Sequence, residues 1–300
     1  MIDFLLFELE KTLVDSHCKV VAHVIDALKA MKSFRMDTGK CPVMCLICEG
    51  PANRNSAGDK FAELGSRLET LGLKSFFDPV KQRVTLIEDG NIRQFDQHVF
   101  ETALSQAVND ATPDQCIFFT GDPDVARVSR SLSIKTLEFA PYQDAEIDFT
   151  DWLESPLLVA KIAGSNRLKN TEVALRAYLA ATENIDLVSL TASTDPDTFM
   201  GNSSTWHPIT SEKLKDLSGI NVKLPTEIRV RLEASGKVKT VERAGPAPSD
   251  KDEAAHFVES LLTHGQIASQ SSVAPHDATH EISTDSEGRR YLVRKRFTAV

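Results

Sequence analysis

The chain has no apolar run approaching the roughly 20 residues that a membrane-spanning helix requires. Its one apolar stretch near the N-terminus is interrupted by Glu8 and Glu10 and follows no basic segment, which argues against a signal peptide. Basic residues are the minority. Lys and Arg total 34 against 43 Asp and Glu, a formal charge of −9, so nucleic-acid binding, which needs a basic footprint, is not expected. Cysteine is sparse and odd in number, five in all. Reduced thiols in a cytoplasmic protein are expected rather than a disulfide framework. There is no H-E-x-x-H, no Gly-x-Ser-x-Gly elbow and no internal repeat. The expected partner is therefore another protein, neither a membrane nor a nucleic acid.

What is present is an alternation of strand and helix. Residues 2–7 are short, apolar and without period, as buried parallel strands are. A helix is predicted over 17–34, where Val20, Val21, Val24, Ile25, Leu28 and Met31 recur at three- and four-residue spacing. Strands are predicted over 43–47, 84–87, 92–95, 116–120 and 136–139, with a hairpin turn at Asp89-Gly90. Helices are predicted over 60–71, 99–108 and 122–132. This order implies an α/β domain with a parallel sheet, a Rossmannoid core over about residues 1–145. Residues 138–154 carry six acids and no base and read as a linker in which Phe149 and Trp152 pack. A second, smaller α+β domain is expected over 155–300, with helices at 169–182 and 252–262. Its strands are expected at 187–190, 222–224 and 228–232, with a hairpin at 280–297. The Ser- and Thr-rich residues 189–205 read as a polar loop.

The segment Asp3-Phe4-Leu5-Leu6-Phe7-Glu8-Leu9-Glu10-Lys11-Thr12-Leu13-Val14-Asp15-Ser16 runs from an apolar strand into a polar turn. Further on come Gln94-Phe95-Asp96-Gln97-His98-Val99-Phe100 and Phe118-Phe119-Thr120-Gly121-Asp122-Pro123-Asp124, then Ser131-Leu132-Ser133-Ile134-Lys135-Thr136. In order, these pieces resemble the motifs of the haloacid-dehalogenase (HAD) hydrolase family over residues 1–140. The family opens with D-x-D-G-T-L-x-D-S. The resemblance implies a HAD-like core with little or no cap.

Carried over by that resemblance, the site is degenerate. Glu8 stands at the nucleophile position and Glu10 at that of the general acid/base. Lys11 replaces the glycine, Cys48 the phosphoryl-binding hydroxyl, and Gln94, beside Arg93, the lysine. Only Asp122, at a magnesium-ligand position, is kept. An in-line attack needs reacting atoms about 3–3.5 Å apart, and the extra methylene of Glu8 shifts its carboxylate by more than that tolerance. Longer ligands also disturb the octahedron Mg²⁺ demands. Losing the hydroxyl and the lysine removes stabilisation of the transferring group. The implied function is a pseudoenzyme scaffold for binding or regulation, with a vestigial pocket (Glu8, Glu10, Cys48, Gln94, Asp122) and no metal or cofactor. The alternative is a Mg²⁺-dependent phosphohydrolase with a rearranged Glu-x-Glu site, its metal on Glu8, Glu10 and Asp122.

Two other constellations carry chemically capable residues. Cys41, Cys45 and Cys48 have the C-x3-C-x2-C spacing of a [4Fe–4S] motif, but the residues between them are strand formers, and on a strand Cys45 and Cys48 diverge. Gly164 to Thr171 precedes a helix whose N-terminus, with Ser165, Arg167 and Lys169, could hold an anion, a third reading in which the chain is a small-molecule or anion sensor. Ordinary capping explains the same residues.

Overall fold

A computed structural model of the chain describes residues 2–36, 38–50, 57–87, 97–107, 111–139, 151–163, 166–183, 185–209, 217, 219–244, 249–268, 278–284, 288 and 290–294. The chain divides into two compact units, Met1–Tyr178 with Glu233–Lys237, and Leu179–Leu232 with Val238–Val300.

The first unit is built on five strands: β1 (Phe4–Glu8), β2 (Val43–Glu49), β3 (Val84–Ile87), β4 (Cys116–Thr120) and β5 (Lys135–Glu138). They pair in the order β3-β2-β1-β4-β5, and every pairing is parallel. Helices α1 (Val24–Lys32), α2 (Ala57–Thr70), α3 (Val80–Arg83), α4 (Gln97–Ala107), α5 (Pro123–Ser131) and α6 (Ser155–Ile162) belong to this unit, and α7 (Arg167–Glu183) begins in it. This is the α/β parallel-sheet class read from the sequence. All five residues of β1 are buried, which is why the strand lacks alternation.

Successive side chains of a strand point to opposite faces. One face carries Phe4, Leu6, Cys45, Ile47, Cys116 and Phe118 into a core closed by Phe100 and Val125. The other carries Phe7 and Phe119, stacked with centroids 4.4 Å apart. Phe139 lies 6.0 Å beyond Phe119, and Trp152 stacks on Phe139 at 4.2 Å. This aromatic column holds Trp152, from the acidic segment, within the first unit. Residues 140–150, like the predicted hairpin turn at Asp89-Gly90 and its second strand at 92–95, lie outside the described residues.

The helix predicted from residue 17 begins instead at Val24. Cys18 and His23 adopt left-handed backbone angles, φ 57° and 64°, which no right-handed helix accommodates. Residues 10–20 form a tight turn and a short hairpin: Val14 bridges both Glu10 and Val20.

The second unit is a mixed sheet of β6 (Ile185–Ala192), β7 (Thr198–Pro208), β8 (Ile220–Leu232), β9 (Val238–Ala244), β10 (Ile267–Ala268), β11 (His280–Thr284) and β12 (Arg290–Arg294), with α8 (Ser249–Thr263). Strands β6 to β9 pair antiparallel. β12 pairs parallel with β8 and antiparallel with β11. Ile220, Val222, Val258, Leu261 and Ile267 form a small core in which α8 meets the sheet. The two short strands expected at 222–224 and 228–232 are one strand, β8. Pro225, which donates no hydrogen bond, sits between the stretch of β8 paired to β12 and the stretch paired to β9. The polar loop expected at 189–205 is instead the end of β6 and most of β7, whose buried hydroxyls are satisfied internally in part: Ser203 donates to the Thr226 carbonyl at 2.8 Å. No helix among the described residues is long and apolar enough to cross a membrane.

Candidate functional site

The carboxyl end of a parallel sheet, where strand order reverses, is the place open α/β folds offer to ligands. Here that end belongs to β1 and its neighbours β2 and β4. Glu8 closes β1 on the same face as Phe4 and Leu6, and Thr120 closes β4 on the same face as Cys116 and Phe118. Both side chains therefore meet at one corner.

The backbone after β1 is tightly folded. Leu13 N–H and Val14 N–H both donate to the Leu9 carbonyl at 3.1 Å, and Lys11 is left-handed at φ 61°. The loop after β4 comes in close beside it. A Cβ on Gly121 would stand 2.1 Å from the Lys11 carbonyl oxygen, so this approach requires glycine.

Two hydroxyls bind Glu8. Thr12 accepts the Gly121 N–H at 2.7 Å and donates to Glu8 Oε2 at 3.1 Å. Thr120 accepts the Asp122 N–H at 3.0 Å and donates to the same oxygen at 2.5 Å. Each backbone amide thus turns a hydroxyl proton toward one carboxylate oxygen. Glu8 is 4% exposed. Burial pushes its pKa from 4.5 up to about 7, against the pull of the two hydroxyls and with help from the charges of Asp122 and Glu10. With Oε2 taking both donors, the proton of the neutral form belongs on Oε1.

Asp122 is bound on both oxygens. Oδ1 caps α5, accepting from Asp124 N–H at 2.9 Å and Val125 N–H at 3.3 Å. Oδ2 accepts from the Lys11 ammonium at 3.0 Å. Burial alone would raise this carboxyl, but Lys11 and the two amides together hold it below the usual carboxylate range. Glu10 faces a different set of donors. Oε1 pairs with Arg67 of α2 at 3.1 Å and Oε2 accepts the Glu49 N–H at 3.2 Å; burial still pushes its pKa up.

Of the positions read from the sequence, Glu8 and Asp122 come together through Thr12, Thr120 and Lys11, and Glu10 stands beside them. Cys48 is fully buried on β2, out of phase with Ile47 and so on the sheet face opposite Glu8; burial pushes its thiol up. Gln94 and Arg93 lie outside the described residues. Thr12, Thr120 and Arg67 are not legible as site residues in the sequence, and Lys11 is legible only as the residue at the glycine position. The available signal was a threonine one residue before Gly121-Asp122.

A HAD-type site implies a magnesium ion, and these side chains do not fit one as they stand. Mg²⁺ needs free oxygen lone pairs at about 2.0–2.1 Å in an octahedron. Asp122 Oδ2 faces the Lys11 ammonium and Glu10 Oε1 the Arg67 guanidinium, cations that a divalent ion would have to displace, and Glu8 Oε2 already accepts two hydroxyls. Among the described residues no three His, Cys, Asp or Glu side chains are grouped as a metal ion requires.

The remaining constellations have structural roles. Cys41, Cys45 and Cys48 are all free. Cys45 lies in the core opposite Cys48, with its thiol pushed up to about 12 by burial. At the start of α7, buried Asn170 accepts the Arg35 N–H at 2.9 Å and donates to the Arg35 carbonyl at 3.1 Å. Asn166 donates to the Met36 carbonyl at 2.9 Å. These amides tie down the chain leaving α1. Arg167 is half-buried and Lys169 exposed in the same turn, and Ser165 lies outside the described residues.

No protein-family model and no curated protein matches the chain. A solved structure described as a beta-phosphoglucomutase from Thermotoga maritima is similar over 52% of this chain and 59% of its own length, at 16% identity and a TM-score of 0.30. A second solved structure is similar over 60% of this chain and 82% of its own, at 17% identity and a TM-score of 0.28.

Proposed function

We propose that the first unit is a HAD-like domain that does not hydrolyse phosphate esters and serves as a scaffold, with the second unit meeting a protein partner. The observation that carries this reading is the state of Glu8. A carboxylate nucleophile must aim a free lone pair at phosphorus, about 3–3.5 Å away. Glu8 instead gives Oε2 to two hydroxyls fixed by backbone amides, and burial raises its pKa to about 7, so that much of it is protonated, and then non-nucleophilic, at neutral pH. Glu10, the general acid/base position, is tied to Arg67 and the β2 backbone. The scaffold role draws support from the surface. Of the five large apolar side chains exposed among the described residues, four (Val188, Met200, Phe257 and Leu262) lie in the second unit. Where such side chains adjoin, they offer a partner an apolar surface.

The test is turnover of a panel of phosphate esters by the full chain, with Mg²⁺ and with EDTA. No turnover above buffer is expected. EDTA-sensitive hydrolysis that disappears in Glu8→Gln would overturn the reading in favour of a phosphohydrolase with a rearranged Glu-x-Glu site.

A further inference from the structure

Three carboxyl groups stand at the carboxyl ends of β1 and β4: Glu8 accepts from Thr120, which in turn accepts the Asp122 N–H, and Glu10 follows Glu8 by two residues and reaches the β2 backbone. Such a grouping destabilises itself unless a cation offsets it. Arg67 answers Glu10 on one side. On the other side the positive charge is an ammonium supplied by the chain itself.

Lys11 is placed for this by three features. Its residue is left-handed, φ 61°, at the apex of the turn after β1. Gly121 lets the Lys11 carbonyl come against the loop after β4, so the two loops share one corner. Its Nζ is then 3.0 Å from Asp122 Oδ2. The Asp122 hydrogen bond, then the charges of Asp122, Glu8 and Glu49, hold the ammonium above the usual lysine range. A non-glycine residue at positive φ has a backbone cost that glycine would not have. The charge of the side chain is what the corner receives in exchange.

We infer that the Lys11 ammonium is the built-in counter-ion of this corner and takes the place of a divalent cation there. The inference deepens the non-hydrolytic reading and rests on it, since a working site would need the cation that Lys11 displaces. It also explains why Asp122 keeps an acid at a position where its other oxygen already has a structural duty capping α5. The acid holds the tethered cation.

The experiment is titration of the full chain with Mn²⁺ alone, without substrate, followed by calorimetry and by thermal unfolding. Wild-type protein is expected to show no saturable binding and no rise in Tm. Lys11→Gly removes the ammonium and suits the left-handed backbone. Lys11→Met removes the charge while keeping most of the side chain. Both variants are expected to bind Mn²⁺ saturably, at least tenfold below the highest concentration at which wild type stays silent, and to gain Tm with it, and Asp122→Asn added to either should abolish the gain. Wild-type binding as tight as that of the variants would overturn the inference. So would silence from both variants, or Mn²⁺ binding that survives Asp122→Asn. Turnover of phosphate esters by a wild-type protein that binds no Mn²⁺ would sink the scaffold reading by itself, so the two failures are distinguishable.

Discussion

Replacing Glu8 by glutamine should make the first unit more stable above neutrality and no more stable in mild acid. The folded-state pKa of Glu8 is raised from 4.5 to about 7, chiefly by burial. A raised carboxyl binds its proton more tightly folded than unfolded. The sign follows directly: the stabilisation from the neutral form is full below pH 4.5 and is lost as pH climbs through about 7. With the side chain 4% exposed, solvent screening is slight, and the rise corresponds to about 3 kcal/mol between those limits. Glutamine stays neutral and keeps an acceptor for Thr12 and Thr120. The stability difference, variant minus wild type, should therefore climb by about 3 kcal/mol from pH 4.5 to 8 and then level off. The assay is denaturant unfolding of both proteins at intervals across that range in a Trp206→Phe background. The chain has two tryptophans, so Trp152, stacked on Phe139 in the same unit as Glu8, then reports the transition alone. The other titrating groups are common to both proteins, and the difference isolates Glu8. A flat difference would refute the reasoning. So would one that falls with rising pH, because Glu8 would then be held as the ionised partner of its hydroxyls.

Three further outcomes follow from the packing. Gly121→Ala should cost about 1–3 kcal/mol, as overpacking does, because its Cβ has no room beside the Lys11 carbonyl; calorimetric unfolding measures it, and an unchanged Tm would contradict the close approach. Asn170→Ala should cost about 1–3 kcal/mol by leaving both polar groups of the Arg35 backbone unpaired; hydrogen exchange at the Arg35 amide should accelerate. Trp152→Ala removes the end of the aromatic column and should cost about 3–5 kcal/mol; a cost below 1 kcal/mol in chemical denaturation would show that residue 152 is not part of that core.

The first sheet was legible because β1, β2 and β4 are buried on both faces, and burial on both faces writes an uninterrupted apolar run. The apolar run Cys116 to Thr120 predicts β4 at the bounds it has. What failed to show was local geometry that overrides periodicity. Val20, Val21 and Val24 fit a helical stripe, yet the left-handed residues Cys18 and His23 end that pattern before it starts. β7 was hidden for the opposite reason: Gly201, Asn202, Ser203, Ser204 and Thr205 lack the β-branched apolar pattern of a strand, and the pairing with β6 and β8 holds them extended. At the site, Glu8 and Asp122 were visible as residue types in a motif. Their partners were not, because a lysine at the glycine position registers as a loss in the sequence and only the fold shows where its ammonium goes. Thr120 likewise acquires its role from a carboxylate 112 positions away.

That separation has a consequence for how the protein is made. β1 is the middle strand, and its two neighbours emerge at different times: Val43 pairs with Phe4, and so does Cys116. At about 5–20 residues per second, the ribosome reaches β4 roughly 6–20 s after it has finished β1. Throughout that interval one flank of an apolar strand has no neighbour, and the nascent chain offers an open edge to any other strand it meets. The corner around Glu8 cannot exist before the edge is closed. Its carboxylate, its hydroxyls and its ammonium meet only when synthesis has passed Asp122, so the candidate site is also the seal on that edge.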